Sequence, residues 1–329
     1  MTRYVVVGAG AIGCYVGGAL ALAGAQVSMV GRPRLIEALQ AEGLTVSDLE
    51  GRHAHLPPQR LTLASDLAEL KPDPGALTVI LLCVKGGATL EAARQIAAAF
   101  APGSPVVSLQ NGVENLARIR AAAPGLEAIA GMVPFNVVQP APAQVHRATS
   151  GLLRMARTPL TETLRADFAA AHLPLKLEDD MRAVQWGKLL LNLNNPVNAL
   201  AGLPLRDELQ VRDYRRVLAA LAAARTTPAQ VAGAPPRALP RILRLPDWLF
   251  RVVAARMLKI DPSARSSMWN DLQAGRPTEI DDLCGAVRRL GAAHGTATPL
   301  NAAMQGLIEA HAPGRRYSGA ELAAACGLR

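Results

Sequence analysis

Aromatic residues are scarce in this chain: Phe, Trp and Tyr make up 3% of its 329 residues. Proteins that hold single-stranded nucleic acid use aromatic rings as stacking platforms. Here the formal charge of +9 is scattered along helix-like stretches instead of gathered in a basic tail. Nucleic acid is therefore not an expected partner. A diffuse positive field suits small anions equally well, drawing in phosphorylated cofactors and carboxylate substrates. Cysteine is sparse too: Cys14, Cys83, Cys284 and Cys326 stand far apart, without a C-x-x-C pair or a metal-ligand spacing. That pattern argues against a disulfide framework and fits a reducing cytoplasm, with Cys14 and Cys83 read as small buried hydrophobes. The histidines form no ligand pattern, so no metal is expected, and His53 and His55 read as surface positions of a hairpin. Lysine is nearly absent. Lys71, Lys85, Lys176, Lys188 and Lys259 are the only ones, and arginine carries the remaining positive charge.

Runs that approach an uninterrupted membrane span are missing as well, with one exception. Tyr4 to Gly31 carries no charge, follows Arg3 and contains Ala23-Gly24-Ala25, so it imitates a signal peptide or a membrane anchor. Its glycines argue otherwise. Four β-favouring residues, Tyr4 to Val7, run into Gly8-Ala9-Gly10-Ala11-Ile12-Gly13, and an Ala- and Leu-rich helical pattern then leads to a second strand, Gln26 to Val30. This is a βαβ start with Gly-x-Gly-x-x-Gly between strand and helix, the setting in which that motif is a strong dinucleotide signal. Gly8 permits the tight turn, and Gly10 lets backbone approach a pyrophosphate. Gly13 lets the helix pack closely on the strand, and the helix N-terminus supplies N–H groups and a positive dipole end.

About twenty residues beyond such a loop, an NAD-binding unit places an acid on the ribose 2′-hydroxyl. No Asp or Glu stands there; Gly31-Arg32-Pro33-Arg34 does. A guanidinium suits a 2′-phosphate, so Arg32, with Arg34 beside it, points to NADP(H) over NAD(H). A solvated loop is the plainer alternative. Leu77 to Val84 reads as a strand buried on both faces, ending at Lys85, and Val106 to Leu109 as the next, ending at Gln110-Asn111-Gly112. Ligands of open α/β sheets lie outside the carboxyl ends of the strands, which turns Lys85 and Asn111 toward a cofactor. A polar residue followed by Gly serves an ordinary strand-to-helix turn just as well. Leu44 to Leu56 reads as a short hairpin, and Ala128 to Val133 and Leu152 to Met155 as further strands, with Pro134, Pro140 and Pro142 in loops.

From Asp180 the patterning is almost wholly helical, interrupted by a proline-rich connection at Pro228, Pro235, Pro236, Pro240 and Pro246. The expected organisation is therefore an α/β domain over residues 1–179 and an all-helical domain over residues 180–329, each large enough for its own core. The second opens with Trp186-Gly187-Lys188-Leu189-Leu190-Leu191-Asn192-Leu193-Asn194-Asn195-Pro196. On a helix, Lys188 and Asn192 share one face, and polar groups on an otherwise apolar helix make sense lining a cleft. An ammonium can release a proton where a guanidinium cannot; a lysine snorkelling from a packed helix is the alternative. Ser266-Ser267-Met268 and Thr278-Glu279-Ile280-Asp281 follow. Their plainer readings are Ser267 as an N-cap, and Glu279 in the first turn of a helix opened by Pro277 and Thr278.

Taken together and in order, Gly8 to Gly13, Asn111-Gly112, Lys188 with Asn192, Ser266-Ser267-Met268 and Thr278-Glu279-Ile280-Asp281 resemble the ketopantoate reductase (2-dehydropantoate 2-reductase) family, along essentially the whole chain. The resemblance implies an N-terminal Rossmann domain holding NADPH and a C-terminal helical domain, similar to that of 6-phosphogluconate dehydrogenase, closing over it. It implies reduction of 2-dehydropantoate to pantoate in pantothenate and coenzyme A biosynthesis, in the cytoplasm, with a small 2-oxo acid as substrate and neither membrane nor nucleic acid as partner. Lys188 would be the general acid, with Glu279 by it and by the cofactor. Asn111, Asn192 and Ser267 would hold the substrate; Arg32, Lys85 and the glycine loop, with Asn111 and Glu279, would contact NADPH. One departure stands out: where the family often has a second Asn two turns beyond the lysine, this chain is one residue shorter and offers Asn194-Asn195, of which Asn195 is taken as the substrate residue. The same reaction on another 2-oxo or β-keto acid stays open, as does a non-enzymatic NADP(H) sensor, although a sensor has no need of proton-transfer groups. Oligomeric state is not written in these motifs; a homodimer is compatible with them.

Overall fold

The computed structural model describes residues 2–70, 75–223, 239–255 and 264–328. Lys71, Lys259 and the Pro228, Pro235 and Pro236 part of the expected connection lie outside the described residues. The chain forms two compact units, Met1–Met181 and Arg182–Arg329.

In chain order the strands of the first unit are β1 (Thr2–Val7), β2 (Gln26–Val30), β3 (Leu44–Asp48), β4 (His53–Leu56), β5 (Thr62–Ala64), β6 (Leu77–Leu82), β7 (Pro105–Ser108), β8 (Glu127–Met132), β9 (Val137–Ala141), β10 (Gln144–Arg147), β11 (Leu153–Ala156) and β12 (Leu175–Glu178). Its helices are α1 (Ala11–Leu22), α2 (Pro33–Glu42), α3 (Thr89–Ala99), α4 (Asn115–Ala122) and α5 (Pro159–Ala170). Eight strands form one sheet in the order β12-β11-β8-β7-β6-β1-β2-β5, parallel except where β11 meets β8. Both faces of this sheet are covered, which is why its central strands are apolar without alternation. Along β1, Tyr4 and Val6 enter the core that includes Tyr15, Leu20 and Phe168. Val5 and Val7 enter the opposite core, with Ala93, Ile96 and Ile119. From β1 the chain runs outward to β2 and β5, then returns to the other side of β1 as β6. Strand order thus reverses between β1 and β6, and the carboxyl ends flanking such a reversal form the crevice where ligands of doubly wound sheets bind.

The smaller sheet, β4-β3-β10-β9, explains the signal-like run. A Cβ on Gly17 would come within 2.8 Å of Val6 in the large sheet, and one on Gly18 within 2.7 Å of Val46 in β3. Helix α1 is therefore packed on two sides and buried from Gly13 to Ala21, and a helix enclosed all round is apolar all round. No helix among the described residues is long and apolar enough to cross a membrane. The hairpin read at Leu44 to Leu56 is β3–β4, antiparallel, with His53 and His55 exposed. Strands β9 and β10 pair where only proline-punctuated loops were expected. Pro140 is tolerated in β9 because that strand is an edge of its sheet, where a missing N–H breaks no ladder.

The second unit is helical throughout its described residues. It contains α6 (Met181–Asn192), α7 (Asn194–Ala201), α8 (Leu205–Gln210), α9 (Arg212–Ala223), α10 (Leu239–Leu243), α11 (Asp247–Val253), α12 (Ser267–Gln273), α13 (Ala286–Ala293), α14 (Pro299–Glu309) and α15 (Gly319–Ala325). A single π-helical turn, Asp281–Gly285, precedes α13.

Candidate active site

The glycine loop leaves β1 and enters α1 with a geometry that only these residues allow. Gly8 has φ +100°, and a Cβ there would lie 2.7 Å from the Val84 backbone nitrogen. At Gly13 a Cβ would lie 2.2 Å from the Gly8 carbonyl oxygen. Gly10 differs from both: it is exposed, nothing stands within 4 Å of where its Cβ would be, and it caps α1 without a side-chain hydrogen bond. Helix α1 thus begins with bare N–H groups beside open space, which fits a phosphate. Arg32 lies just past the carboxyl end of β2 and precedes Pro33, the first residue of α2. Arg32 and Arg34 are both exposed. Lys85, also exposed, follows β6 at the start of a short 3-10 turn, Gly86–Ala88.

Asn111 follows β7, before Gly112 at φ +96°, and rests on a buried polar network that sequence reasoning missed. The Ser108 hydroxyl donates to Gln110 Oε1 at 2.9 Å. Gln110 Nε2 donates to Thr89 Oγ1 at 2.7 Å and to the Val84 carbonyl at 3.0 Å. Thr89 donates to Asn115 Oδ1 at 3.0 Å, and Asn115 Nδ2 donates to the Asn111 carbonyl at 2.6 Å. Ser108, Gln110, Thr89 and Asn115 are all buried, and a satisfied buried network holds its members in one arrangement. It ties the loop after β6 to the loop after β7. The available signal was Gln110 itself, a polar residue directly continuing a buried strand.

In the second unit Lys188 and Asn192 sit one turn apart on α6, Lys188 between the buried Trp186 and Leu189. Lys188 keeps some surface exposure as a residue, yet its ammonium is desolvated. That desolvation pulls its pKa from the ordinary 10.5 down to about 8, while the nearby Glu279 carboxylate pushes it back up. Structure and sequence reading differ on how Glu279 is held. Pro277 and Thr278 are not helical, and the helix starts at Ile280. The Glu279 carbonyl accepts the N–H groups of Asp282 at 3.1 Å and Leu283 at 3.2 Å, so Glu279 stands ahead of the first turn, at the entry to the π turn. Single π turns inside helices recur at functional sites.

Ser267 is likewise not the cap of its helix. Ser266 is: its hydroxyl accepts the Trp269 N–H at 3.1 Å and donates to the Asn195 carbonyl at 3.1 Å. Ser267 is left exposed as the first residue of α12. Helices α6 and α7 are separated by Leu193 alone. Asn194 turns inward to Glu208 at 3.4 Å, whereas Asn195 meets the start of α12 through its backbone carbonyl, which accepts the Ser266 hydroxyl. Of the expected site residues, Gly8 to Gly13, Arg32, Lys85 and Asn111 thus belong to the first unit. Lys188, Asn192, Asn195, Ser267 and Glu279 belong to the second, where Lys188 is coupled to Glu279 and the start of α12 is bonded to α7. Among the described residues no group of His, Cys, Asp or Glu is arranged to hold a metal.

Two family models match the chain, ketopantoate reductase PanE/ApbA over residues 4–159 and its C-terminal counterpart over residues 180–312. A solved PanE/ApbA family ketopantoate reductase from Ralstonia eutropha JMP134 is 30% identical, with a TM-score of 0.80 over 94% of this chain and 97% of that one. This chain belongs to the ketopantoate reductase family. The 2-dehydropantoate 2-reductase of Mesorhizobium japonicum is 29% identical over 93% of this chain and 96% of its own length. A D-mandelate dehydrogenase solved with NADH and anilino(oxo)acetate shares the fold, with a TM-score of 0.76 at 20% identity over 94% of this chain and 98% of that one. Ketopantoate reductases are oxidoreductases acting on CH–OH groups, use NADPH and serve pantothenate biosynthesis.

Proposed function

We propose that this ketopantoate reductase reduces 2-dehydropantoate to pantoate with NADPH, and that Lys188 is its general acid. The observation that carries the reading is Lys188 itself, a desolvated ammonium with a pKa of about 8 opposed by Glu279. A general acid works best when its pKa lies near the working pH, and an ordinary lysine holds its proton too tightly. The open N-terminus of α1 at Gly10 would hold the pyrophosphate, and Arg32 the 2′-phosphate, by charge-assisted hydrogen bonds. When bound, NADPH supplies a hydride to the C2 carbonyl carbon of the substrate. Lys188 stabilises the negative charge growing on the C2 oxygen and then protonates it. Glu279 keeps that ammonium charged until the proton is needed. Asn192, Asn195 and Ser267 hold the substrate carboxylate and hydroxyl, with Asn111 orienting substrate and nicotinamide. A cytoplasmic location is supported by four cysteines that are all unpaired.

A second reading, the same reaction on another 2-oxo acid, is favoured by one observation: of the two asparagines that follow Leu193, Asn194 is taken up by the buried Glu208, which leaves Asn195 to the substrate. Both readings are tested by following NADPH oxidation by the purified protein with 2-dehydropantoate and a panel of 2-oxo acids. The highest kcat/KM should belong to 2-dehydropantoate. A higher value for another acid transfers the assignment to that substrate, and no turnover with any of them removes the enzymatic reading.

A further inference from the structure

Among the described residues the most deeply buried acid of the second unit is Glu208, on the short helix α8. It is fully enclosed, at 0% exposure, and no arginine or lysine pairs with it among the described ion pairs. Its partners are amides. Asn198 Nδ2 donates to Glu208 Oε2 at 2.7 Å and to the Leu203 carbonyl at 3.0 Å. Asn194 Nδ2 lies 3.4 Å from the same oxygen. The other carboxyl oxygen, Oε1, and the Asn194 Oδ1 are both buried without a hydrogen bond. Two orphaned acceptors on neighbouring side chains are what a missing proton looks like, because hydrogens are not placed by heavy-atom positions. A proton on Oε1 turns that atom from an acceptor facing no donor into a donor, and removes the charge from the enclosed carboxyl. An unpaired carboxylate in this enclosure would be costly, whereas the neutral acid is not. Burial accordingly raises the Glu208 pKa to about 8.

The same cluster reaches the residues assigned to substrate. Asn198, itself fully buried, accepts the Ser266 N–H on Oδ1 at 2.9 Å. Ser266 in turn donates from its hydroxyl to the Asn195 carbonyl at 3.1 Å. A line of hydrogen bonds therefore runs from Glu208 on α8, through Asn198 on α7, to the first turn of α12. It fixes the backbone on which Asn195 and Ser267 stand, and holds Asn194 turned inward.

We propose that Glu208, kept as a neutral carboxylic acid, is a positioning residue of the substrate site. It locks Asn194 and Asn198 in the interior so that Asn195 and Ser267 are presented to the 2-oxo acid. This inference rests on the functional reading above, in which Asn195 and Ser267 bind substrate. It also separates the two asparagines after the α6–α7 break: Asn194 belongs to the scaffold and Asn195 to the ligand.

The test compares Glu208→Gln with Glu208→Leu, using Ser267→Ala as control and NADPH titration as a second readout. Gln is neutral and, like a protonated acid, pairs an acceptor oxygen with a donor group, so Glu208→Gln should keep a near-normal KM for the 2-oxo acid. Glu208→Leu removes both and should raise that KM about tenfold or more, with kcat changed less and NADPH affinity unchanged. An infrared band of a protonated carboxyl, present in the wild-type protein near pH 7 and absent in Glu208→Gln, reads the neutral acid directly even if the Leu variant does not fold. Loss of activity in Glu208→Gln equal to that in Glu208→Leu, or absence of the band, overturns the neutral-acid assignment. A folded Glu208→Leu protein with normal KM overturns the positioning role. If Ser267→Ala also leaves KM unchanged, the substrate face itself is wrong; if Ser267→Ala raises KM while Glu208→Leu does not, only the role of Glu208 falls.

Discussion

Replacing Glu279 by Gln should move the pH profile of the enzyme, because Glu279 and burial pull Lys188 in opposite directions. Desolvation is the larger influence and lowers the lysine pKa to about 8 from 10.5; the Glu279 carboxylate raises it. The net drop corresponds to roughly 3 kcal/mol favouring the neutral amine over what water would give. With a pKa of about 8, roughly nine-tenths of Lys188 carries its proton at pH 7 and about one-tenth at pH 9. If the ammonium is the acid, kcat/KM for reduction should fall about tenfold over that interval. Glu279→Gln removes the influence that holds the proton, so the alkaline limb should move to lower pH, with activity lost first near neutrality. Lys188→Arg keeps a positive charge but cannot donate a proton at these pH values, and should lose about 10²–10⁴-fold in kcat. The measurement is kcat/KM against pH for the wild type and Glu279→Gln, with NADPH saturating at each point. A wild-type profile flat to about pH 10, or a limb that Glu279→Gln does not move, would refute the reasoning. Near-normal turnover by Lys188→Arg would leave Lys188 as a fixed charge only.

Arg32→Ala should weaken NADPH by about 10- to 150-fold, the cost of losing a charge-assisted hydrogen bond of roughly 1.5–3 kcal/mol. NADH should be affected far less, and equal losses by fluorescence titration would return Arg32 to a structural role. Gly8→Ala should abolish cofactor binding or folding, since the new methyl meets the Val84 backbone at a positive φ; a soluble variant with normal NADPH affinity would contradict the loop geometry. Thr89→Val should cost about 1–3 kcal/mol of stability by stranding Gln110 and Asn115, read by denaturant unfolding, and should raise the NADPH Kd through the loosened Asn111 loop.

The parallel sheet was legible because its strands advertise burial on both faces: Leu77 to Val84 and Val106 to Leu109 are unbroken apolar runs with turn residues after them. The glycine loop was legible because each glycine answers a separate local demand. The small sheet was half hidden, since Pro140 suppresses a strand reading that only its edge position permits. Ser266 and Ser267 present the same chemistry to a reader of sequence, and tertiary contact with Asn195 decides which one caps. Glu279 looked like a first-turn acid because a π turn, Asp281–Gly285, leaves no periodic mark over so few residues. Glu208 stands in the sequence among Arg206, Asp207 and Arg212, charged neighbours that carry no sign of burial. Its burial follows from the fold of α7 and α8 around it, which no local pattern records.

The single residue between α6 and α7 makes that pair a jointed rod. Removing one residue from a continuous helix would turn everything beyond it by about 100°, and with it every side chain on the far half. Leu193, the one residue between the two helices, keeps a right-handed helical backbone and donates its N–H to the Leu189 carbonyl at 3.0 Å. Lys188 and Asn192 lie before the joint, Asn195 beyond it. If Lys188 donates the proton and Asn195 meets the substrate, as proposed, an insertion or deletion at Leu193 would change what the far half displays while leaving Lys188 beside Glu279.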